Sequence, residues 1–504
     1  MKPCYWINQT LFLKRCVASV LCLSLAAPLT PVLAQPVGLP SMGAASAADL
    51  SPALERQLGE AIMAQGRRDP TYINDPEITQ YLTTIGRKLA SFSPGGVPDV
   101  EMFGVRDPQI NAFAMPGGFI GVNSGLVVES TSESEVVSVL AHEIGHVVQR
   151  HIARGMTQQS QSGVVMMASL AAALLAALAG GGGDLAMGVA AFGQAAAINQ
   201  QLGFSRDAER EADRAGFVML TKAGYDPQGM VKMFSRLMAA SRLNEGMGGG
   251  AWASTHPLSI ERMSDIQNRT RNLPAEKFVN SDDYWYIRAK LRVIQGRDAA
   301  SLRTAGQRLQ DDANRLTGVQ QSAAYYGLAL QAFQRNNLDE AQRLLNQAGS
   351  GGRSSPLLAR LGIDLAAARK DGKQALQLAA SATRRWPAQR ALGIAYAQAL
   401  QGVGRHGDAQ TYLRGRIKQW GDDEPGLYQM LAHSEERNGQ PVQARRDMAR
   451  YYVLTGAYAS AESQLQQARA MSKDFYEQSQ IDVQIREVED KLAQERDLLE
   501  RFNG

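Results

Sequence analysis

His142-Glu143-Ile144-Gly145-His146 decides the reading of this chain. It stands inside Ser132 to Ala153, where Val136, Val139, Leu140 and Ile144 recur at helical spacing. Ser134, flanked by Glu133 and Glu135, suits the start of that helix. Two histidines four apart on a helix lie on one face, one turn apart, so both imidazoles can grip one metal ion. Zinc favours nitrogen and oxygen donors in tetrahedral geometry, and a catalytic site keeps one position for water. The ion lowers the pKa of that water toward about 7. Glu143 is then placed to take the proton and pass it to a leaving amine. The pattern points to a zinc-dependent endopeptidase with one ion per chain.

Two histidines are not enough, and the third ligand must be Glu, Asp or His. All three cysteines, Cys4, Cys16 and Cys22, fall in residues 1–34. That segment carries Lys2, Lys14 and Arg15 and no acid, then an apolar run from Cys16 to Ala27, then a small-residue site at Val32-Leu33-Ala34. It reads as a secretory signal peptide cleaved after about Ala34. The mature chain would have no disulfide and no thiolate ligand. Its net charge would fall from +4 to about +1. Without a basic stripe, no nucleic-acid partner is expected. The third ligand is then best sought in Ser205-Arg206-Asp207-Ala208-Glu209-Arg210-Glu211-Ala212-Asp213. Glu209 can reach the metal, and Asp213, one turn on, can orient His142 or His146 from behind. Glu211 is the competing ligand. Among the six histidines, His151 falls off the ligand face by helical spacing and reads as a surface residue. His406 and His433 read as ordinary.

The rest of the chain divides by composition. Residues 35–50 are a Pro-, Gly-, Ser- and Ala-rich lead-in, and 51–285 carry the peptidase pattern. Helices are expected around Glu55 to Met63 and Ile78 to Leu89, and short strands at 100–105, 110–114 and 119–122, with Met115 to Gly118 as a turn. Residues 163–200 are almost wholly small and apolar around Gly180 to Gly183. They read as a helical hairpin, either buried and lid-like or facing a membrane surface or partner. Gly246 to Gly250 form a second glycine cluster just before His256-Pro257.

After connecting helices at 286–319, the chain repeats itself. Ala341, Ala375 and Ala409 are 34 residues apart and Ala444 follows at 35, each with a small or apolar partner twelve earlier at Ala329, Ile363, Ala397 and Ala432. That period, with small residues at helix crossings, marks tetratricopeptide repeats over 320–472. Residues 473–504 read as a capping helix. The expected architecture is therefore an α+β zincin-like peptidase domain, mostly helical with a small sheet, followed by an all-α repeat solenoid.

The HExxH helix, the Glu209-x-x-x-Asp213 pair, Asn111-Ala112-Phe113-Ala114-Met115-Pro116-Gly117-Gly118 and His256-Pro257 with Arg262 together resemble the M48 metallopeptidases. The resemblance implies that His142, His146 and Glu209 bind zinc and that Glu143 is the base. It implies that Asn111, Ala112, Phe113 and Ala114 form an edge strand that pairs with extended substrate. His256 would sit on a loop over the site and fill zinc's open position, keeping the enzyme latent. Arg262 would pair with a nearby acid or steady the oxyanion. With the export signal and the repeats, the resemblance implies a periplasmic role in outer-membrane protein quality control, promoting assembly of β-barrel proteins and degrading misfolded or stalled forms. The implied partners are such substrates, the barrel-assembly machinery, the lipopolysaccharide transporter and the membrane periphery. Relatives can tie the peptidase to the repeats through a cysteine pair, which this chain would lack once processed. A competing reading is a chaperone or scaffold acting through its repeats, with a latent zinc site.

Overall fold

The computed structural model describes residues 51–158, 204–243, 256–271 apart from 258, 273, 278–421 and 424–503. The expected signal peptide, the lead-in, the 163–200 hairpin and the Gly246–Gly250 cluster lie outside the described residues.

A four-stranded sheet anchors the first half. Its strands are β1 (Tyr72–Ile73), β2 (Glu101–Val105), β3 (Ala112–Ala114) and β4 (Phe119–Asn123), in the order β1-β2-β4-β3. β2 and β4 run parallel, whereas β3 pairs antiparallel with β4, Phe113 opposite Gly121. β3 is thus an edge strand. The alternation of side chains divides two cores. Phe113, Phe103 and Phe119 pack toward α1 (Pro52–Gly66), with Leu58, Ile62 and Met63. Ala112, Ala114, Ile120 and Val122 face the other way, into the main core. There they meet α2 (Pro76–Ala90), α3 (Ser124–Glu129) and α4 (Glu133–Val148) through Leu82, Leu126 and Leu140. The hairpin between β3 and β4 turns at Gly118, φ 83°, where a Cβ would stand 2.0 Å from the Asp99 carbonyl oxygen. Only glycine fits that turn.

The expected single helix from Ser132 to Ala153 is two. α4 begins after Ser132, whose hydroxyl accepts from the Glu135 N–H, so the cap is Ser132 rather than Ser134. It ends at Val148, and Arg150 takes φ 51° before α5 (His151–Gln158) starts in a new direction. Glu55 holds that break in place by accepting from the Arg150 guanidinium at 3.1 Å. Helices α6 (Arg206–Lys222), α7 (Gln228–Leu243) and α8 (Ile260–Arg271) complete this half. α9 (Asp282–Gln295) runs across the expected boundary at residue 285, and α10 (Ala299–Arg315) follows it.

The second half is a series of helix pairs. They are α11 (Gly318–Gln334) with α12 (Leu338–Ala348), α13 (Pro356–Ala368) with α14 (Gly372–Arg385), α15 (Arg390–Gly402) with α16 (His406–Trp420), and α17 (Pro425–Arg437) with α18 (Pro441–Leu454). α19 (Tyr458–Met471) and the long α20 (Phe475–Asn503) close the series. Ala341, Ala375, Ala409 and Ala444 sit on the second helix of each pair and are buried, as are Ala329, Ile363, Ala397 and Ala432 on the first. Each first helix ends in a left-handed residue: Asn336, Lys370, Gly404 and Gly439. The residue after each donates its N–H to a carbonyl five back, such as Asn337 to Ala332 at 2.9 Å, which turns the chain tightly into the next helix. These are tetratricopeptide-type pairs.

The repeats touch the peptidase half by hydrogen bonds. Arg67 donates to the Leu454 carbonyl at 3.1 Å and Arg68 to that of Thr455 at 2.9 Å. Gln80 exchanges bonds with the Ala388 carbonyl and the Arg390 N–H.

Candidate metal centre

α4 and α6 cross closely because Gly145 and Gly216 leave no side chains between them. That crossing sets the His142 and His146 face of α4 against the first turns of α6. The two Nε2 atoms are 3.0 Å apart. α6 is capped by Ser205, whose hydroxyl accepts from the Ala208 N–H, and its first turn presents Glu209. Glu209 Oε2 lies 3.5 Å from His142 Nε2, and Oε1 lies 3.4 Å from His146 Nε2. His256 enters from the chain ahead of α8, with Nδ1 2.9 Å from Glu209 Oε1 and 3.4 Å from His142 Nε2. One donor atom from each of His142, His146, Glu209 and His256 lies within 4.8 Å of the others, and all four residues are buried.

This donor set fits a divalent cation. Lone-pair atoms crowd one another away from water, an arrangement that needs protons or a metal ion to be stable. Imidazole nitrogens with a carboxylate and no thiolate suit a divalent transition metal.

Glu143, between the two helix histidines, points at the sheet. Its Oε2 accepts from the Ala114 N–H at 3.0 Å, and its Oε1 stands 3.5 Å from His256 Nε2. The outer edge of β3 therefore runs directly along the site. Burial raises the Glu143 pKa above the ordinary carboxylate range. Glu209 moves the other way: burial alone would raise it, but His256, His142 and His146 hold it well below that range. Burial works against a charged His142, yet hydrogen bonds to Asp213 and Glu209 prevail and push it up to about 9.

The chain is similar to known proteins. Residues 76–270 match the model of Peptidase family M48. The chain is 32% identical over 331 residues to a putative beta-barrel assembly-enhancing protease of Vibrio cholerae, covering 65% of this chain and 67% of that one. The chain belongs to the M48 peptidase family. The Beta-barrel assembly-enhancing protease of Escherichia coli is 29% identical over 466 residues, 92% of each chain. A Mitochondrial metalloendopeptidase OMA1 of Arabidopsis thaliana is 33% identical over 162 residues, covering 32% of this chain and 30% of that one. The protein is a metalloprotease.

Around the centre, this M48 peptidase builds a charged frame. Asp213 Oδ1 lies 2.9 Å from His142 Nδ1. Arg262, on α8, donates to both Asp213 oxygens at 2.7 and 2.9 Å and to the Pro257 carbonyl at 2.8 Å. It also stands 2.6 Å from Glu209 Oε2. Of the two roles considered for Arg262, the geometry is that of an ion pair. Asn111 precedes β3 and is buried, its carbonyl accepting from the Asn123 N–H. Ala112 and Ala114 turn their side chains toward α4, whereas Phe113 points into the other core with its ring over Gly121.

Two features of this M48 peptidase escaped the sequence. His151, expected at the surface, is 2% exposed. Its Nδ1 is 2.9 Å from His146 Nδ1, and its Nε2 is 3.0 Å from Glu211 Oε2. The break at Arg150 is the reason, because helical spacing no longer holds beyond it. Glu211, the competing ligand, is occupied there and takes a further bond from Arg154 at 2.7 Å. Phe204 lies against His146 with ring centroids 4.1 Å apart. A rare histidine within reach of an acidic helix was the signal available for His151; nothing marked Phe204.

Proposed function

We propose that this protein is a zinc endopeptidase and assembly factor acting in the periplasm on outer-membrane β-barrel proteins, promoting their assembly and degrading misfolded or stalled forms. The observation that carries the catalytic part is the convergence of His142, His146 and Glu209 beside Glu143. His142, His146 and Glu209 would hold the ion, and Asp213 and Arg262 would orient His142 and Glu209. A bound zinc ion supplies Lewis acidity, polarising a carbonyl and acidifying water. Glu143 takes a proton and returns it to the leaving amine. An extended substrate adds to the edge of β3 at Ala112 to Ala114, which sets its backbone beside Glu143. Such recognition reads backbone rather than sequence, as suits a protease of unfolded chains. The names of the Vibrio cholerae and Escherichia coli relatives support the barrel-assembly setting. No helix among the described residues is long and apolar enough to cross a membrane. The barrel-assembly machinery and the lipopolysaccharide transporter are the partners that this reading carries.

One observation favours a second reading, a scaffold acting through its repeats with a latent centre. His256 already stands among the donor atoms, where a substrate or water would otherwise go. The deciding experiment measures zinc content and cleavage of an unfolded barrel protein for wild type, Glu143→Gln and Glu209→Ala. The enzyme reading expects one zinc per chain in wild type and Glu143→Gln, loss of zinc in Glu209→Ala, and cleavage in wild type alone. No cleavage by wild type, with barrel assembly, measured on the same three proteins, undiminished in Glu143→Gln, would move the weight to the scaffold.

A further inference from the structure

The donor atoms around His146 are arranged in a chain whose proton positions can be worked out from one end. Glu211 is paired with Arg154 at 2.7 Å, and an ionised carboxylate only accepts hydrogen bonds. His151 Nε2, 3.0 Å from that carboxylate, must therefore carry the proton. With His151 neutral, its ring has one N–H, so its Nδ1 is left with a lone pair; this neutrality is part of the proposal. His146 Nδ1, 2.9 Å away, must then donate to it. That leaves His146 Nε2 as a lone pair aimed at the centre of the donor cluster, 3.0 Å from His142 Nε2. Glu209 Oε1, 3.4 Å from the same nitrogen, draws a proton to it when no ion is bound, so in the metal-free protein the chain from Glu211 works against Glu209.

We propose that His151, Glu211 and Arg154 are positioning residues that hold His146 in the tautomer able to bind the metal ion. His142 has the same support in shorter form, since Asp213 faces its Nδ1 at 2.9 Å and Arg262 clamps Asp213. Both histidines are thus backed by a carboxylate and an arginine, and the second arm contains one extra imidazole. The strained backbone fits this role. Arg150, not a glycine, takes φ 51° and so carries a conformational cost. The turn it makes folds His151 back under His146 instead of letting α4 run on.

The inference rests on His146 being a metal ligand, and the test separates the two. Glu211→Gln is nearly isosteric. Its carbonyl can accept from Arg154 while its amide donates to His151 Nε2, which reverses the chain and puts a proton on His146 Nε2. In His151→Asn a carbonyl oxygen remains to accept from His146, whereas His151→Leu has no acceptor. Cobalt affinity, measured by chelator competition, and the cobalt visible spectrum are read for the wild-type full chain and each variant. The expected result is a loss of about 10- to 100-fold in Glu211→Gln and His151→Leu, with partial rescue in His151→Asn. His146→Ala must abolish binding; if it does not, the ligand assignment fails rather than the relay. Imidazole nitrogen spectra of the metal-free protein, which has only six histidines to assign, report the tautomer without any metal, in wild type as well as in the Glu211→Gln variant. His146 protonated at Nδ1 in wild type and at Nε2 in Glu211→Gln supports the proposal. Protonation at Nε2 in wild type, or unchanged cobalt affinity in both Glu211→Gln and His151→Leu, overturns it.

Discussion

Gly145 on α4 and Gly216 on α6 face one another's helix backbones. A Cβ on Gly145 would stand 2.7 Å from the Ala212 carbonyl oxygen, and one on Gly216 would stand 3.0 Å from the Ala141 carbonyl. The closeness of the metal centre depends on this crossing. His142 and His146 come from one side of it and Glu209 and Asp213 from the other. Gly145→Ala should cost about 1–3 kcal/mol of stability by overpacking, and it should weaken metal binding as the helices part. Urea unfolding and zinc competition on the same samples check both. Unchanged stability with unchanged affinity would mean that the crossing relaxes freely.

Glu143→Gln removes the carboxylate that the proposed mechanism uses as base and retains the shape. Zinc content should remain one per chain, and cleavage should fall by about a hundred- to ten-thousand-fold. The amide can still accept from the Ala114 N–H, so the edge strand is undisturbed. Cleavage at the wild-type rate would end the case for Glu143.

His256→Ala should raise basal cleavage. His256 Nδ1 contacts Glu209 and His142, and its Nε2 faces Glu143, so the side chain occupies the ground that a substrate needs. If that closed state holds about 90% of the population, removing it gains on the order of tenfold in initial rate. Zinc retained with no gain in rate would show that His256 does not occlude the site.

Asp213→Asn tests the frame rather than the ligands. The carboxylate both fixes His142 and neutralises Arg262. Zinc affinity should drop by about 10- to 100-fold with the fold retained. Competition with a coloured chelator measures it, and an unaltered affinity would leave Asp213 as a partner of Arg262 only.

The legibility of this chain follows the range of each signal. His142 and His146 are four residues apart on one helix, and the repeat alanines are 34 apart along a regular array, so both patterns are local and periodic. They place helices without knowledge of the tertiary fold. The strands expected at 100–105, 110–114 and 119–122 rest on local signals too, the apolar runs on either side of the Met115–Gly118 turn, and the structure has strands at 101–105, 112–114 and 119–123. His151 failed for the opposite reason. Its position depends on a left-handed Arg150 held by Glu55, nearly a hundred residues earlier. No periodicity carries such a contact. The clamp of Arg262 on Asp213 and Glu209 is likewise tertiary, which is why the sequence left two roles for Arg262 open.

Glu435, in the repeats, gives a pH signature separate from the metal centre. It is fully buried on α17. Burial and the neighbouring Asp447 carboxyl push its pKa from 4.5 up to about 8, against the opposing pull of Arg414. The Arg414 guanidinium donates to its Oε1 at 2.8 Å. A folded pKa above the unfolded value means that the native state holds the extra proton across that window. Stability is therefore greatest below the unfolded pKa and falls as pH rises toward the folded one, with the loss complete above it. Glu435→Gln mimics the protonated acid and keeps an oxygen for Arg414. Its urea midpoint should match that of wild type near the unfolded pKa, about 4.5, and exceed it by a growing margin up to about pH 8. Midpoints at a series of pH values, measured on both proteins, test this. A margin that does not change with pH would mean that Glu435 stays ionised in the folded repeats, held by Arg414 despite its burial.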